Sequence, residues 1–245
     1  MTFIHDHGDL FGAHDDPRPD APFTVLLVLN GTPDAGEQTL LRRVARLSQF
    51  IIAADGGANT LHRLGLCPQV VAGDLDSLHP DTRHAFRSAA VQVYRDADPS
   101  RNDFQKALQH VPDQARRVLV LGAEGGRLDH ALANLHVAFE DARKPQHASR
   151  DLLLLSQRNL AMVLRPGSHE LHIHAPHEGP ACGLIPLGHA CNVRTQHLRW
   201  NVDCESPHSS PLQFGTFISS SNAICGPSVL VWTDAPLLWT HQLRL

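Results

Sequence analysis

The way apolar segments change character along the chain constrains the fold more than any other feature. Between about Thr24 and Leu155, short apolar runs typical of buried strands alternate with segments whose apolar residues recur at helical spacing. The strand-like segments are TVLLVLN, FIIAAD, QVVAGDLDS, VQVYRDAD and RRVLVLGAEGG, and the helix-like segments are QTLLRRVARLS, GANTLHRLG, NDFQKALQHV and LDHALANLHVAFEDA. This alternation predicts an α/β fold with a mostly parallel sheet and flanking helices.

The pattern changes after about Ser156. The remaining apolar segments are short β-type runs broken by Gly, Pro and Ser, such as MVLRPGSHELHIH, CGLIPLG and SVLVWTD, and none is a convincing helix. Many short strands predict an antiparallel sandwich or a barrel-like module. We therefore predict an α/β domain over residues 23–157 and a C-terminal antiparallel β-sandwich domain over residues 158–245.

The first 22 residues are rich in Asp, His and Pro. They lack the basic start and apolar core of a secretory signal, and they are too acidic for a typical transit peptide. We predict that residues 1–22 are a mobile N-terminal tail. The alternative is that Phe3 and Phe11 dock this segment on the body of the protein.

Composition excludes several classes of protein. Hydrophobic residues make up 42% and charged residues 19%, which suits a globular chain rather than a disordered one. A net charge of −4 disfavours nucleic acid as a partner, and the longest apolar runs are far too short to cross a membrane. Five irregularly spaced cysteines without a CxxC pair indicate reduced thiols, so we expect a cytoplasmic protein.

Acidic residues gather where the predicted parallel strands end. They are Asp55 in AADGG, Asp74 and Asp76 in GDLDS, Asp103 in RNDF and Asp129 in GGRLDH. Ligands of open α/β sheets bind at the carboxyl ends of the strands, so these carboxylates are expected to converge there. Together they would repel one another unless a cation were bound, and carboxylate oxygens suit Mg²⁺.

Glycines accompany these acids. Gly56 and Gly57 follow Asp55, and Gly122, Gly125 and Gly126 precede Arg127. Glycine lets the backbone approach a phosphate closely, and an arginine offers a fork of donors to phosphate oxygens. With no P-loop and no GxGxxG motif, the combination indicates a magnesium–nucleoside triphosphate site of another kind.

Each of these elements also has a purely structural interpretation. Asp55 and Asp103 could cap helices, GDLDS could be a turn, and Arg127 and Asp129 could form a surface ion pair. His172 and His174 in LHIHAPH would share one face of a strand, as a metal pair or, more commonly, as polar residues on that face.

The motifs together resemble those of thiamine pyrophosphokinase (thiamine diphosphokinase) of the eukaryotic type. The resemblance covers about residues 25–241. It rests on ADGGAN, GDLDS, NDFQKAL and GGRLDH in the first half and on RPGSHELHI, CGLIPLG, LRWNV, FGTFISSSN and TDAPLLWT in the second. It implies an α/β domain plus a β-sandwich domain. It also implies a homodimer in which the thiamine site lies between the α/β domain of one subunit and the β domain of the other.

The resemblance also implies residue roles. The metal ligands for Mg²⁺ would be Asp74, Asp76 and Asp103, and with Arg127 and Asp129 these form the catalytic set. ATP would contact Asp55, Gly56, Gly57, Asn102, Gly125, Gly126 and Arg127, and thiamine would contact Asp55, Asp129, Ser219, Ser221 and Asn222. The thiamine hydroxyl would attack the β-phosphorus of ATP in line, giving thiamine diphosphate and AMP, and Asp74 or Asp129 would accept its proton.

Some positions depart from the family pattern. The chain has Asn102 where Thr is usual, Asp98-Pro99-Ser100 where Asp-Gln-Asp is frequent, His197 where Gly is frequent, and Ile224 where some relatives have an aromatic residue. Three alternatives stay open: a nucleotide-sugar transferase that uses GDLDS as a DxD motif, a binder of the same ligands without turnover, and a purely structural protein.

Overall fold

The computed structural model describes residues 2–11, 20–124, 126–206 and 210–245. The described residues divide into two compact units. Those within 14–137 and 152–156 form the α/β unit, and those within 1–13, 138–151 and 157–245 form the β unit.

The strands of the described residues are, in chain order, β1 (Thr2–His5), β2 (Thr24–Val28), β3 (Phe50–Ala54), β4 (Val70–Gly73), β5 (Gln92–Arg95), β6 (Arg117–Leu121), β7 (Asp151–Leu155), β8 (Asn159–Leu164), β9 (Gly167–His172), β10 (Glu178–Pro186), β11 (Val193–Gln196), β12 (Ser219–Ala223), β13 (Ser228–Thr233) and β14 (Leu237–Leu243). The helices are α1 (Ala35–Leu47), α2 (Gly57–Arg63), α3 (Pro80–Ser88), α4 (Asp103–Leu108) and α5 (Leu128–Ala142).

The sheet of the α/β unit has the strand order β7-β6-β2-β3-β4-β5. Strand β2 pairs in parallel with β3 and β6, and β4 pairs in parallel with β3 and β5. The central strands β2 and β6 are buried along their whole length, as their continuous apolar sequences predict, whereas β5 is exposed at the sheet edge. The prediction of a mostly parallel sheet is confirmed.

Local sequence sets the helix starts. The side chain of Asp34 accepts from Glu37 N, and the side chain of Glu37 accepts from Asp34 N, so α1 begins with a capping box. Helix α3 was not among the predicted helices, because it is largely polar and buries only Thr82 and Phe86. Its start is nonetheless marked by Pro80 in the first turn.

The β unit contains two four-stranded arrangements. Strands β1-β9-β13-β11 form one, and β12-β10-β14-β8 follow one another in the second. All of the named pairings in this unit are antiparallel except β1 with β9. Burial alternates along β9 and β13, so each strand offers one face to the interior. The β-sandwich prediction is confirmed, and no helix lies within the described part of residues 158–245.

The prediction of a mobile tail is wrong for residues 2–11. Strand β1 pairs with β9 through Thr2 opposite Ser168 and His5 opposite Leu171. Leu10 and Phe11 are buried, and the ring of Phe3 stacks on His169 at 5.0 Å between centroids. The alternative of a docked segment therefore describes these residues. Residues 12–19 lie outside the described residues.

The change of unit after Ser156 lies beside the predicted domain limit at residue 157. The β unit also takes in residues 138–151, which include the end of α5 and were assigned by sequence to the α/β domain. No helix of the described residues is long and apolar enough to cross a membrane.

Candidate functional site

The α/β unit contains a cavity of about 800 Å³ at the carboxyl ends of its strands. Strand ends contribute its floor, and the first turns of the following helices contribute its walls. Among its lining residues are Asn30, Asp55, Asp74, Asp76, Asn102, Asp103, Lys106, Gly126, Arg127 and His130. Ligands of open α/β sheets bind at this edge, and most of the predicted acids lie there.

Three carboxylates meet in the cavity. Asp55 follows β3, Asp74 follows β4, and Asp103 is the first residue of α4. One oxygen of each lies within 4.8 Å of one oxygen of the others. We call Asp55, Asp74 and Asp103 the carboxylate cluster.

The glycine at the end of β4 leaves room for the side chains of Asp55 and Asp103 to lie close together. Gly73 has φ +155°, and a Cβ built there would lie 2.8 Å from Asp55 Cβ and 3.1 Å from Asp103 Oδ1. Asp55 and Leu75 themselves have positive φ angles of 41° and 65°. Left-handed backbone at non-glycine residues is costly and is typically found at functional sites.

Lys106 supplies the positive charge beside the carboxylate cluster. Its Nζ lies 3.2 Å from Asp103 Oδ1 and 3.8 Å from Asp74 Oδ2, and the side chain is only 4% exposed. Lys106 is one turn along α4 from Asp103, so the helix places both on the same face. The sequence motif NDFQKAL includes this lysine, but sequence reasoning assigned it no role. Its spacing of three residues from Asp103 was the available signal, because residues three apart lie on one face of a helix.

Asp55 is the most buried member of the carboxylate cluster. Its Oδ2 accepts from Ser77 N at 3.3 Å, whereas its buried Oδ1 has no hydrogen-bond partner among the described residues. Burial raises the pKa of Asp55, and the nearby charges of Asp103 and Asp74 raise it further. One lysine therefore leaves the negative charge of the cluster incompletely compensated, which is the condition that a bound cation relieves.

Asp76, predicted as a metal ligand, lines the cavity but lies outside the carboxylate cluster. Its backbone N–H donates to Asp74 Oδ1 at 3.1 Å, and its Oδ1 accepts from Ser77 Oγ at 2.9 Å. The turn through Leu75 turns Asp76 away, and Asp55 takes the third position in the cluster instead.

Arg127 and Asp129 form the surface ion pair that the structural interpretation predicted. Arg127 donates to both carboxylate oxygens of Asp129, at 3.1 and 2.6 Å, and both side chains are well exposed. The hydrogen bond from Arg127 lowers the pKa of Asp129. Arg127 lines the cavity together with Gly126, which has φ +67°. Gly125 lies outside the described residues.

The glycines after β3 have a packing role in the structure. A Cβ at Gly57 would lie 2.2 Å from Val28 O, and one at Gly56 would lie 2.5 Å from the side chain of Asn30. Glycine at both positions therefore lets the start of α2 approach the end of β2. Asn102 caps α4, because its side chain accepts from Gln105 N at 2.9 Å, and it also lines the cavity.

Ser219, Ser221 and Asn222 lie on β12 in the β unit. Asn222 is buried and donates to Trp200 O at 2.7 Å and to Ser219 Oγ at 3.1 Å, while its Oδ1 accepts from Trp200 N at 3.2 Å. Ser221 is exposed and has φ +60°. Asn222 thus holds the turn that carries Trp200, a residue that is 56% exposed.

Two departures from the family pattern have structural consequences. Asp98 accepts from Ser100 N and from Arg101 Nε at 2.9 and 3.0 Å, so the Asp-Pro-Ser segment holds Arg101, which lines the cavity. His197 has φ +68°, a conformation that glycine adopts without strain. His172 is the last residue of β9 and His174 lies beyond the strand, but both rings contact the carboxylate of Asp6, at 3.5 and 2.7 Å.

Known sequence families match most of the chain. Residues 41–148 match the family described as thiamin pyrophosphokinase, catalytic domain. Residues 168–238 match the family described as thiamin pyrophosphokinase, vitamin B1 binding domain. The first matched range includes the whole carboxylate cluster, and the second includes β12.

Individual relatives agree with these matches. Thiamine pyrophosphokinase 2 of Oryza sativa subsp. japonica is 32% identical over 264 residues, which cover 94% of this chain and 90% of that protein. Thiamine pyrophosphokinase 1 of the same plant is 29% identical over 255 residues, covering 94% of this chain and 92% of that protein.

Solved structures support the fold. The crystal structure of yeast thiamin pyrophosphokinase superimposes with a TM-score of 0.79 at 18% identity, covering 99% of this chain and 91% of that chain. Thiamin pyrophosphokinase from Candida albicans gives a TM-score of 0.78 at 19% identity, covering 91% of this chain and 90% of that chain.

Proposed function

Since the chain belongs to the thiamine pyrophosphokinase family, we propose that it transfers the β,γ-pyrophosphoryl group of ATP to the hydroxyl of thiamine, giving thiamine diphosphate and AMP. The observation that carries the chemical part of this proposal is the carboxylate cluster of Asp55, Asp74 and Asp103 in the strand-end cavity. The nucleotide-sugar alternative gains no support, because it leaves the match of the β unit unexplained.

The carboxylate cluster fits Mg²⁺. Three carboxylates with oxygens within 4.8 Å offer the hard oxygen ligands that this ion prefers, and Asp55 Oδ1 has no other partner among the described residues. When bound, Mg²⁺ would neutralise negative charge on the phosphates. In this proposal Asp76 is a cavity-lining acid near the ion rather than a member of the cluster.

The protein's own residues position the two substrates. Lys106, held against Asp103 and Asp74, keeps the cluster ordered and contributes a positive charge at the phosphate side of the cavity. Arg127 can exchange its exposed contact with Asp129 for a phosphate oxygen, since such surface ion pairs are weak. Of the two acids proposed to accept the hydroxyl proton, Asp74 is favoured because it lines the cavity, whereas Asp129 is not among the lining residues.

Product analysis tests the reaction. The purified chain is incubated with thiamine, ATP and Mg²⁺, and thiamine, its phosphates, AMP and ADP are separated. We expect thiamine diphosphate and AMP in equal amounts, and both lost in Asp103→Asn. The matched control is Asp113→Asn, an exposed loop acid of the same unit outside the cavity lining. Tight binding of both substrates by the folded chain without diphosphate would favour the non-catalytic binder instead.

We also propose that the enzyme is a homodimer that completes each thiamine site with β12 of the partner subunit. Complementation tests this: Asp103→Asn and Ser221→Glu each inactivate a chain, and the two are unfolded and refolded together. If the site is shared, half of the dimers are mixed and each mixed dimer keeps one intact site, so about one quarter of the parental activity returns. If both residues serve the same subunit, no activity returns.

A cytoplasmic location is part of the proposal. It is supported by the five cysteines, which are all free in the structure, because such thiols persist in a reducing compartment.

A further inference from the structure

The N-terminal segment brings histidines into the interior of the β unit. His5, the last residue of β1, and His7, which precedes a short turn, are buried at 6% and 5% exposure, while the carboxylate of Asp6 between them contacts His172 and His174. Inside the unit, both buried rings face the carboxylate of Asp151, the first residue of β7.

The three inward side chains have the spacing of a metal site. His5 Nδ1 lies 3.1 Å from Asp151 Oδ1, and His7 Nε2 lies 3.8 Å from Asp151 Oδ2. One ligand atom of each of the three residues lies within 4.8 Å of the others. Ligands about 2.0–2.2 Å from a tetrahedral ion are about 3.3–3.6 Å apart, so the observed spacing needs little adjustment to hold one.

The hydrogen bonds behind His5 favour a cation at this point. His169 Nε2 contacts Arg165 O at 2.8 Å, and a carbonyl oxygen only accepts, so this nitrogen carries the hydrogen. In the neutral ring His169 Nδ1 then accepts, and it lies 3.0 Å from His5 Nε2, which must donate.

The consequence falls on the other nitrogen of His5. A neutral imidazole has one N–H, so His5 Nδ1 presents a lone pair to the carboxylate of Asp151 at 3.1 Å. Two acceptors at this distance require a proton or a metal ion between them. This is also the usual arrangement of a metal-binding histidine: one ring N–H donates a hydrogen bond to a neighbouring acceptor, and the other ring nitrogen binds the ion.

We propose that His5, His7 and Asp151 form a binding site for a divalent transition metal ion. Zn²⁺ fits best, because two imidazole nitrogens and one carboxylate oxygen match its ligand preferences, with water completing a four-coordinate site. The ion fastens the N-terminal strand β1 to the start of β7. This site differs from the all-carboxylate cluster of the α/β unit in both its ligands and its metal.

Metal content of the full-length chain tests the proposal. The protein is stripped with chelator, exposed to Zn²⁺, passed through a desalting column and analysed for zinc, and affinity is measured by calorimetry. To keep the carboxylate cluster out of the measurement, every chain carries Asp103→Asn. We expect one zinc per chain, and a loss of affinity of at least about 100-fold in His7→Gln, which removes one ligand.

The matched control is His174→Gln, which removes a histidine from the exposed group around Asp6 on the same segment. It is expected to retain the full zinc content. Asp151→Asn is a second ligand variant, in case His7→Gln disturbs folding. In parent and control, Zn²⁺ at about 100 times its Kd should raise Tm by about 5–10 °C and slow amide exchange of residues 2–11.

Three results would overturn the proposal. The first is no zinc retained by the folded parent chain, which would mean that a proton on His5 provides the positive charge beside Asp151. The second is equal zinc binding by parent, His7→Gln and Asp151→Asn. The third is loss of zinc in His174→Gln alone, which would place the ion on the exposed histidines.

Discussion

Replacing Asp55 by Asn is expected to stabilise the metal-free protein while destroying its activity. Asp55 contributes one of three carboxylates whose oxygens lie within 4.8 Å of each other, and its Oδ1 is buried without a partner among the described residues. Two unit charges at this distance repel by about 3 kcal/mol at an effective dielectric constant of about 20. Lys106 offsets part of that repulsion.

An asparagine at position 55 can keep the hydrogen bond that Asp55 accepts from the backbone of Ser77. Its carbonyl oxygen can accept from Ser77 N as the carboxylate does, and its amide can donate to Asp74 or Asp103. The exchange thus replaces repulsion by hydrogen bonds. We expect a gain of about 1–2 kcal/mol in the free energy of unfolding without metal, or about 3–6 °C in Tm for a chain of this size. Turnover should fall more than about 100-fold, because a metal ligand is lost.

Thermal denaturation with chelator and with Mg²⁺-ATP measures both effects. Mg²⁺-ATP should raise the Tm of the parent and leave that of Asp55→Asn nearly unchanged. Asp113→Asn, on an exposed loop, serves as the control and should change stability by less than about 0.5 kcal/mol. The reasoning is refuted if Asp55→Asn lowers the metal-free Tm, or if Mg²⁺-ATP stabilises this variant as much as the parent.

Three further predictions follow from single contacts. Lys106→Met should lower the metal-free stability by about 1–2 kcal/mol and increase the Tm shift caused by Mg²⁺, because Asp103 loses its 3.2 Å partner; an unchanged shift would contradict this. Gly73→Ala should cost about 2–3 kcal/mol by urea denaturation and reduce kcat at least about 10-fold, since its Cβ would lie 2.8 Å from Asp55 Cβ; near-parental values would show that the backbone yields. Burial lowers the pKa of His169 from 6.5 to about 4. Between these pH values the unfolded chain therefore binds a proton that the folded chain does not. The free energy of unfolding should fall by about 3 kcal/mol as the pH drops from 6.5 to about 4. His169→Gln, measured in chelator, should flatten that pH dependence, and a slope equal to the parent's would assign it to other groups.

The α/β unit could be predicted from sequence because its signals are local. After their first residue, runs such as TVLLV and RVLVL are entirely apolar, as strands covered on both faces are, and the intervening helices show their own periodicity. The convergence of Asp55, Asp74 and Asp103 followed from the rule that parallel strands end at one edge. Helix α3 escaped prediction because its few buried residues leave no clear apolar stripe.

What could not be predicted depends on backbone angles and on distant pairings. GDLDS does not reveal that Leu75 adopts φ +65° and thereby separates Asp76 from the cluster. The composition of residues 2–11 resembles that of a solvated tail, and only the edge of β9, far along the chain, turns it into a strand. The role of Lys106 likewise depends on the carboxylate of Asp74, which another loop supplies.

The pairing of β1 with β9 also bears on how the chain is made. Strand β1 cannot find its partner until the strand at residues 167–172 has been synthesised, and this contact has one of the largest sequence separations among the described residues. Contacts of this kind form late, since the loop that they close is long. The α/β unit, whose strands from β2 to β6 are neighbours in sequence, can condense on its own in the meantime. The last step of folding is therefore expected to be the pairing of β1 with β9, and a variant that lacks β1 would leave the edge of β9 open to association with other molecules.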